Sequence, residues 1–379
     1  MKHTARTQNI NNHKSGRAVR FSVAMRFVAL ALVMAFVLTA AGCSKKAATA
    51  NANGTSSKNS AAASTNQEQS YTRNIIIGFS QIGAESAWRT CNTLSMQTAA
   101  AEAGIQLIYS NAEQKQENQI KAIRSFIVYQ VDVIVFVPIV QDGWDNVLRE
   151  AKEAHIPVII IDRKIRTSDE SLYAAYIGAD HVEEGRKAAR FLQEKYKDTN
   201  KTLNIMELRG TDGSSVTDGR YQGFREVLEN DNRFSIIYSE TGDFLRSMGK
   251  ELAERILSVN GKLQVNGTPV DIIYSHNDSM TLGFLDVFEE YGIQGGKDVT
   301  IVSVDAEQAI IDALAEGKIN CAVECNPKTG PLVMEFVQRL ANNRPIPKSP
   351  GLKKPFLQKT MIFLQLNHEA INREIYERQ

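Results

Sequence analysis

Cysteine, tryptophan and proline are scarce in this chain: four, two and nine of its 379 residues. The cysteines (Cys43, Cys91, Cys321, Cys325) form no disulfide framework. Cys321 and Cys325 fall four apart in an apolar run that reads as a strand. That spacing separates their α-carbons by about 13 Å, too far for an S–S bond. No Cys/His spacing of zinc type occurs, so neither a metal site nor a cofactor is expected. Phosphate-cradling glycines are missing as well. After the first strand-like run the glycines are Gly78 and Gly83, which is not G-x-G-x-x-G, and neither G-x-x-x-x-G-K-[ST] nor G-x-S-x-G is present. Of the six histidines, only His276 sits at the carboxyl end of a predicted strand, and no nucleophile pairs with a base. The chain reads as a protein that is not an enzyme. An excess of positive charge is absent too. Six of the 44 basic residues lie ahead of residue 27, which leaves 38 against 43 acidic ones. Nucleic acid, which demands a basic surface, is excluded as the partner.

The long apolar run is Phe27–Leu38. It follows Lys2, Arg6, Lys14, Arg17, Arg20 and Arg26 with no acidic residue among them, and leads into Ala40-Ala41-Gly42-Cys43. That order is a secretory signal peptide over residues 1–42. Phe27–Gly42 is 16 residues long, short of the ~20 that a membrane-spanning helix needs. Residues 43–73 are rich in Ser, Ala, Asn and Thr, cannot bury a core, and read as a flexible tether.

From Asn74 onward the pattern is α/β. Apolar, β-branched runs at Asn74–Ser80, Ile105–Tyr109, Val133–Val137, Val158–Ile161 and Ala174–Ile177 read as buried parallel strands. So do Leu203–Leu208, Ile236–Tyr238, Ile272–Tyr274, Val299–Val302 and Cys321–Val323. Between them lie helical segments at Ala84–Ala103, Gln114–Tyr129, Trp144–Ala154, His181–Tyr196, Val216–Glu229, Leu245–Val259, Met280–Tyr291 and Ala306–Glu316. Repeated βα units in two runs, breaking near Gly178-Ala179-Asp180, predict two similar doubly wound parallel-sheet lobes.

The turn after a parallel strand opens at the carboxyl edge of the sheet, where such folds bind ligands. Glu85, Ser86, Trp88 and Arg89 follow the first strand and are predicted in the first helical turn. Arg89 there opposes the helix dipole, at a cost of about 0.3–1 kcal/mol, so a partner is expected to offset it. Trp88 offers a flat ring beside a forked donor, which suits a sugar. Other strand ends carry Asp162-Arg163, Asn277-Asp278, Asp305 and Glu324, with Arg220 and Phe244 further on. Each alone reads as a cap or a solvated charge, and Asp278 is well placed as the N-cap of the helix that follows. Together, carboxylates that accept, Arg and Asn that donate, and aromatic faces make a pocket for a neutral polyol.

These segments resemble the periplasmic sugar-binding proteins of bacterial ABC transporters, in the ribose- and galactose-binding branch. IGFSQIG, QENQIKAIRSFI, VDVIVFVP, IPVIIIDR, YIGADHVEEGRKAARFL, SHNDSMTLG and VSVDA carry the resemblance, which spans about Asn74 to Leu366. GAESAWR, DGW, DRKI, GDFLRSMGKE and AVECNP bring the galactofuranose-binding members nearest. The resemblance implies a clamshell of two lobes (the type I periplasmic binding protein fold), built from 74–178 plus 326–359 and from 179–325 plus 360–379. It also implies a monomer that holds a monosaccharide in the cleft and delivers it to an ABC permease by hinge closure. A sugar sensor for a membrane receptor or kinase is the alternative. By the same resemblance Trp88 and Phe244 stack on the sugar, Asp162 and Arg163 bind ring hydroxyls, and Asn277 and Asp305 are hydroxyl-binding residues. Arg220 falls on an arginine of the galactofuranose binders, and Glu324 lies near a glutamine of the ribose binders. Ribose binders carry an arginine where this chain has Asp218. The leader resembles a lipoprotein signal, although Ala40 stands where leucine is usual. It implies that Cys43 is lipidated and that the protein is tethered through it to the extracytoplasmic face of the membrane.

Overall fold

Short unbroken runs of valine and isoleucine build the two sheets. Every side chain of β3 (Val133–Phe136) and β4 (Val158–Ile161) is buried, as a parallel strand covered on both faces requires. The computed structural model describes residues 74–349. The predicted signal, Cys43, the tether and the residues beyond 349 lie outside the described residues.

The first sheet adds β1 (Ile76–Gln81), β2 (Gln106–Asn111) and β5 (Ala175–Ile177), all parallel, in the order β2-β1-β3-β4-β5. Alternation along β3 divides its side chains between two cores. Val133 and Val135 pack with residues of α1 (Ala87–Glu102) and α9 (Gly330–Ala341). Ile134 and Phe136 pack with residues of α2 (Gln116–Val128) and α3 (Asp145–Glu153). Asp132 ties the sheet at its start by accepting the Ile76 N–H at 2.8 Å.

The second sheet repeats this plan with β6 (Leu203–Arg209), β7 (Phe234–Thr241), β10 (Ile272–Ser275), β11 (Thr300–Asp305) and β12 (Cys321–Glu324), in the order β12-β11-β10-β6-β7. A two-stranded hairpin of β8 (Gln264–Val265) and β9 (Thr268–Pro269) stands apart. One face carries α4 (His181–Lys195) and α5 (Ser215–Leu228). The other carries α6 (Arg246–Leu257), α7 (Asp278–Tyr291) and α8 (Gln308–Ala315). Counted within its own lobe, each sheet has the strand order 2-1-3-4-5, whose switch point lies beside the first strand. The chain leaves the first sheet after β5 and returns to it after β12, where α9 packs on α1.

Three details differ from the sequence reading. The first helix begins at Ala87 rather than Ala84, because Ser86 has extended backbone (φ −147°, ψ 163°) and its Oγ accepts the Arg89 N–H at 3.0 Å. Asn277, not Asp278, caps α7, its Oδ1 accepting the Met280 N–H at 3.0 Å. Helix α9 and the small hairpin were not predicted.

Candidate functional site

Strand ends from both lobes converge on one narrow cavity lined by buried side chains. The first lobe contributes Glu85, Ser86, Trp88 and Arg89 after β1, and Asp162 and Arg163 after β4. The second contributes Val216 and Arg220 from α5, Phe244 after β7, Asp305 at the end of β11, and Cys325.

The expected partner of Arg89 is a pair of carboxylates. Its Nε donates to Glu85 Oε1 at 2.8 Å and its Nη2 to Asp162 Oδ2 at 2.7 Å. Burial works to raise the Glu85 and Asp162 carboxyls, but Arg89 outweighs it and holds both below their ordinary values. Its Cζ also lies 4.7 Å from the centre of the Trp88 ring. Arg163 donates from Nη1 to the Ile139 carbonyl at 2.8 Å and sits 5.2 Å from the Phe244 ring centre. Burial, with Arg89 alongside, pulls its pKa down to about 10. Three buried polar atoms of this wall have no hydrogen-bond partner: Glu85 Oε2, Arg89 Nη1 and Arg163 Nε. One accepts and two donate.

The second lobe orders Arg220 by bringing two helices into backbone contact. A Cβ on Gly185 would lie 2.3 Å from the Arg220 carbonyl, and one on Gly223 would lie 1.8 Å from that of Val182. At that spacing Arg220 Nε reaches Glu184 at 2.9 Å, Nη2 reaches Asp305 at 2.9 Å, and Nη1 donates to the His276 carbonyl. Glu184 also meets His181 Nδ1 at 3.1 Å, and His181 Nε2 lies 3.1 Å from the Asp162 carbonyl. His181, Glu184 and Cys325 are close enough together to resemble a metal donor set. The Arg220 guanidinium, however, already supplies the positive charge there.

Phe244 needs a glycine neighbour: a Cβ on Gly210 would come within 1.9 Å of its ring. Phe244 (φ 64°), Asp162 (φ 63°) and Asp305 (φ 123°) all have positive φ. Such backbone costs about 1–3 kcal/mol per residue and persists where the surroundings enforce it.

Asn277 and Glu324 are not among the cavity-lining residues. The Asn277 amide is spent on the α7 cap and on the Phe244 carbonyl, to which Nδ2 donates at 3.0 Å. Glu324 ends β12, and it is the next residue, Cys325, that reaches the cavity wall. Sequence reasoning missed His181, Glu184, Val216 and Cys325, whose signals were indistinguishable from those of ordinary helix and strand residues. Trp144 is fully buried against Phe136 with ring centres 5.0 Å apart, and its Nε1 donates to Val140 O, so it belongs to the core.

The lobes meet around this cavity. Trp88 Nε1 donates to the Cys325 carbonyl at 2.6 Å and the Trp88 N–H to Glu307 Oε1 at 2.7 Å. At the rim Gln141 Nε2 donates to Asp218 at 2.7 Å and the Lys164 N–H to Ser215 Oγ at 2.7 Å. Asp218 thus joins the lobes, and it does not line the cavity.

Residues 77–345 match the family described as periplasmic binding protein domain. The chain is similar to the galactofuranose-binding protein YtfQ of Escherichia coli, with 38% identity over 283 residues, 75% of this chain and 87% of that one. It is also similar to a Mycobacterium smegmatis protein solved in complex with β-D-fucofuranose: 43% identity and TM-score 0.69 over 73% of this chain and 88% of that one. A third likeness is to the periplasmic binding protein component of the arabinose ABC transporter of Shewanella sp. ANA-3, solved with α- and β-L-arabinofuranose. Identity there is 38% and the TM-score 0.71, over 80% of this chain and 95% of that one.

Proposed function

The chain belongs to the periplasmic binding protein domain family, and from that premise we propose that it captures a monosaccharide in furanose form and hands it to an ABC permease. The observation that carries this reading is the set of unpartnered atoms, Glu85 Oε2, Arg89 Nη1 and Arg163 Nε, in a buried wall that also presents Trp88 and Phe244. In this reading the carboxylates of Glu85, Asp162 and Asp305 accept from ring hydroxyls, Arg89, Arg163 and Arg220 donate, and Ser86 adds a hydroxyl. The aromatic rings cover the C–H faces. No bond is made or broken. Binding draws the lobes together as a hinge, and the closed surface is what the permease reads. The sugars bound by the relatives support a furanose as the ligand class, galactofuranose foremost. The basic leader, the short apolar run and Gly42-Cys43 support export and a lipid anchor at Cys43, with the protein working as a tethered monomer outside the cytoplasm.

Thermal unfolding against a panel of monosaccharides tests the binding. A sugar at about 100 times its Kd stabilises the fold by ~2.7 kcal/mol, and a panel with no shift overturns the reading. For the anchor, Cys43→Ala releases the protein from membranes or blocks its processing. Normal processing with membrane retention sinks that part.

A further inference from the structure

The sugar cavity has a neighbour. A second chamber of about 160 Å³ lies beside it, lined by Ile82, Glu85, Gln114, Ile139, Arg163, Thr211 and Asp243. Glu85 and Arg163 line both spaces and form the wall between them. Their side chains are only 3% and 2% exposed. They face each other as an ion pair, Arg163 Nη2 lying 3.9 Å from Glu85 Oε1, and each keeps one polar atom without a hydrogen-bond partner. Glu85 Oε1 holds Arg89 while Oε2 has no partner, and Arg163 Nη1 holds the Ile139 carbonyl while Nε has none. Thr211 and Asp243 come from the second lobe, so the chamber, like the cavity, spans the cleft. Gln114 is exposed and marks where the chamber opens to solvent.

We infer that this chamber is a second hydroxyl-binding subsite, and that the protein takes a sugar bearing a hydroxylated extension that passes Glu85 and Arg163 into it. The inference rests on the sugar-binding reading above. Gln114, Thr211 and Asp243 supply both donors and acceptors, and Ile82 and Ile139 supply an apolar wall for C–H groups, a combination suited to a polyol. The shared wall matters most. Two buried atoms, one acceptor and one donor, stand between the chambers without partners, where a ligand crossing from one to the other satisfies both. The extension is either an exocyclic polyol chain or a second, glycosidically linked sugar.

Calorimetric titration of the purified mature chain distinguishes these with three probes: L-arabinose, a heptose with a long exocyclic chain, and a β-galactofuranosyl disaccharide. Thr211→Trp fills the chamber, and Thr211→Leu fills it less in case the larger change impairs folding. We expect wild type to bind at least one extended sugar as tightly as L-arabinose. Both variants then weaken that sugar at least tenfold while L-arabinose stays within about twofold. Loss of the heptose alone assigns the subsite to a polyol chain, and loss of the disaccharide assigns it to a second sugar. If wild type binds only L-arabinose, the chamber is merely an entrance and the inference fails while the sugar-binding reading stands. Equal weakening of long and short sugars also overturns it, and binding of none overturns both readings.

Discussion

The Glu307 carboxylate accepts the backbone N–H of Trp88 at 2.7 Å, so a side chain from the second lobe caps the first turn of a helix in the first. Helix α1 has no acidic residue in its own first turn, and a helix N-terminus favours a negative charge. The bond joins the two lobes and exists only while they are together. It therefore stabilises the closed form without adding a contact to the ligand. Glu307 is itself held in place, because its N–H donates to Asp278 Oδ2 at 2.6 Å.

Glu307→Ala is predicted to weaken sugar affinity by about 1–2 kcal/mol, roughly five- to thirtyfold, chiefly through faster dissociation. Stopped-flow release of bound sugar reads the effect. An unchanged release rate removes Glu307 from closure.

Arg163 has a buried guanidinium with an unpartnered Nε beside the cavity. Its loss leaves ligand hydroxyls unpaired, at about 1–3 kcal/mol. Arg163→Ala is expected to lower affinity at least tenfold by calorimetry with a small change in unfolding temperature. An equal loss of fold and affinity assigns Arg163 to structure alone.

Much of this arrangement was legible beforehand. Runs such as VIVF and VIII announce buried parallel strands, and the turn after such a strand must open at one sheet edge. That is why Glu85, Trp88, Arg89, Asp162 and Asp305 could be picked out without coordinates. Asn277 and Asp278 are equally good caps on paper, and local sequence does not decide which of the two closes the helix terminus. Glu184 and His181 were invisible for another reason. Their contact with Arg220 depends on two helices crossing at Gly185 and Gly223, which no local pattern encodes. The positive φ of Phe244 and Asp305 is likewise imposed by tertiary packing, since neither residue favours it.

The same buried cluster gives stability a pH dependence with two limbs. Burial alone would raise the Glu184 carboxyl, but Arg220 and His181 bring it down to about 2 from 4.5. Its contribution is full above about 4.5 and disappears as pH falls toward 2. Burial opposes charge on His181, yet Glu184 raises its pKa above 6.5. That contribution is full below 6.5 and disappears as pH rises through the raised value. Thermal unfolding as a function of pH is expected to show Glu184→Gln flattening the acid limb and His181→Gln the alkaline one. If His181→Gln leaves the alkaline slope unaltered, the histidine is neutral in the fold.

Trp88 and Trp144 are the two tryptophans of the chain, and their surroundings make opposite demands. Trp144 is packed on Phe136 in the first lobe and is not among the residues lining the cavity, so sugar binding is expected to change its environment little. Trp88 lines the cavity, and its Nε1 and N–H both reach groups beyond the first sheet, Cys325 and Glu307. Opening of the lobes breaks at least the Glu307 bond and exposes the indole, so emission should report closure. Addition of a bound sugar is predicted to shift tryptophan emission, Trp144→Phe to retain most of the shift, and Trp88→Phe to abolish it. Trp88→Ala removes both the aromatic face and its buried area, and should weaken binding by more than about 1 kcal/mol. Normal binding by Trp88→Ala makes Trp88 a packing residue and moves the aromatic role to Phe244.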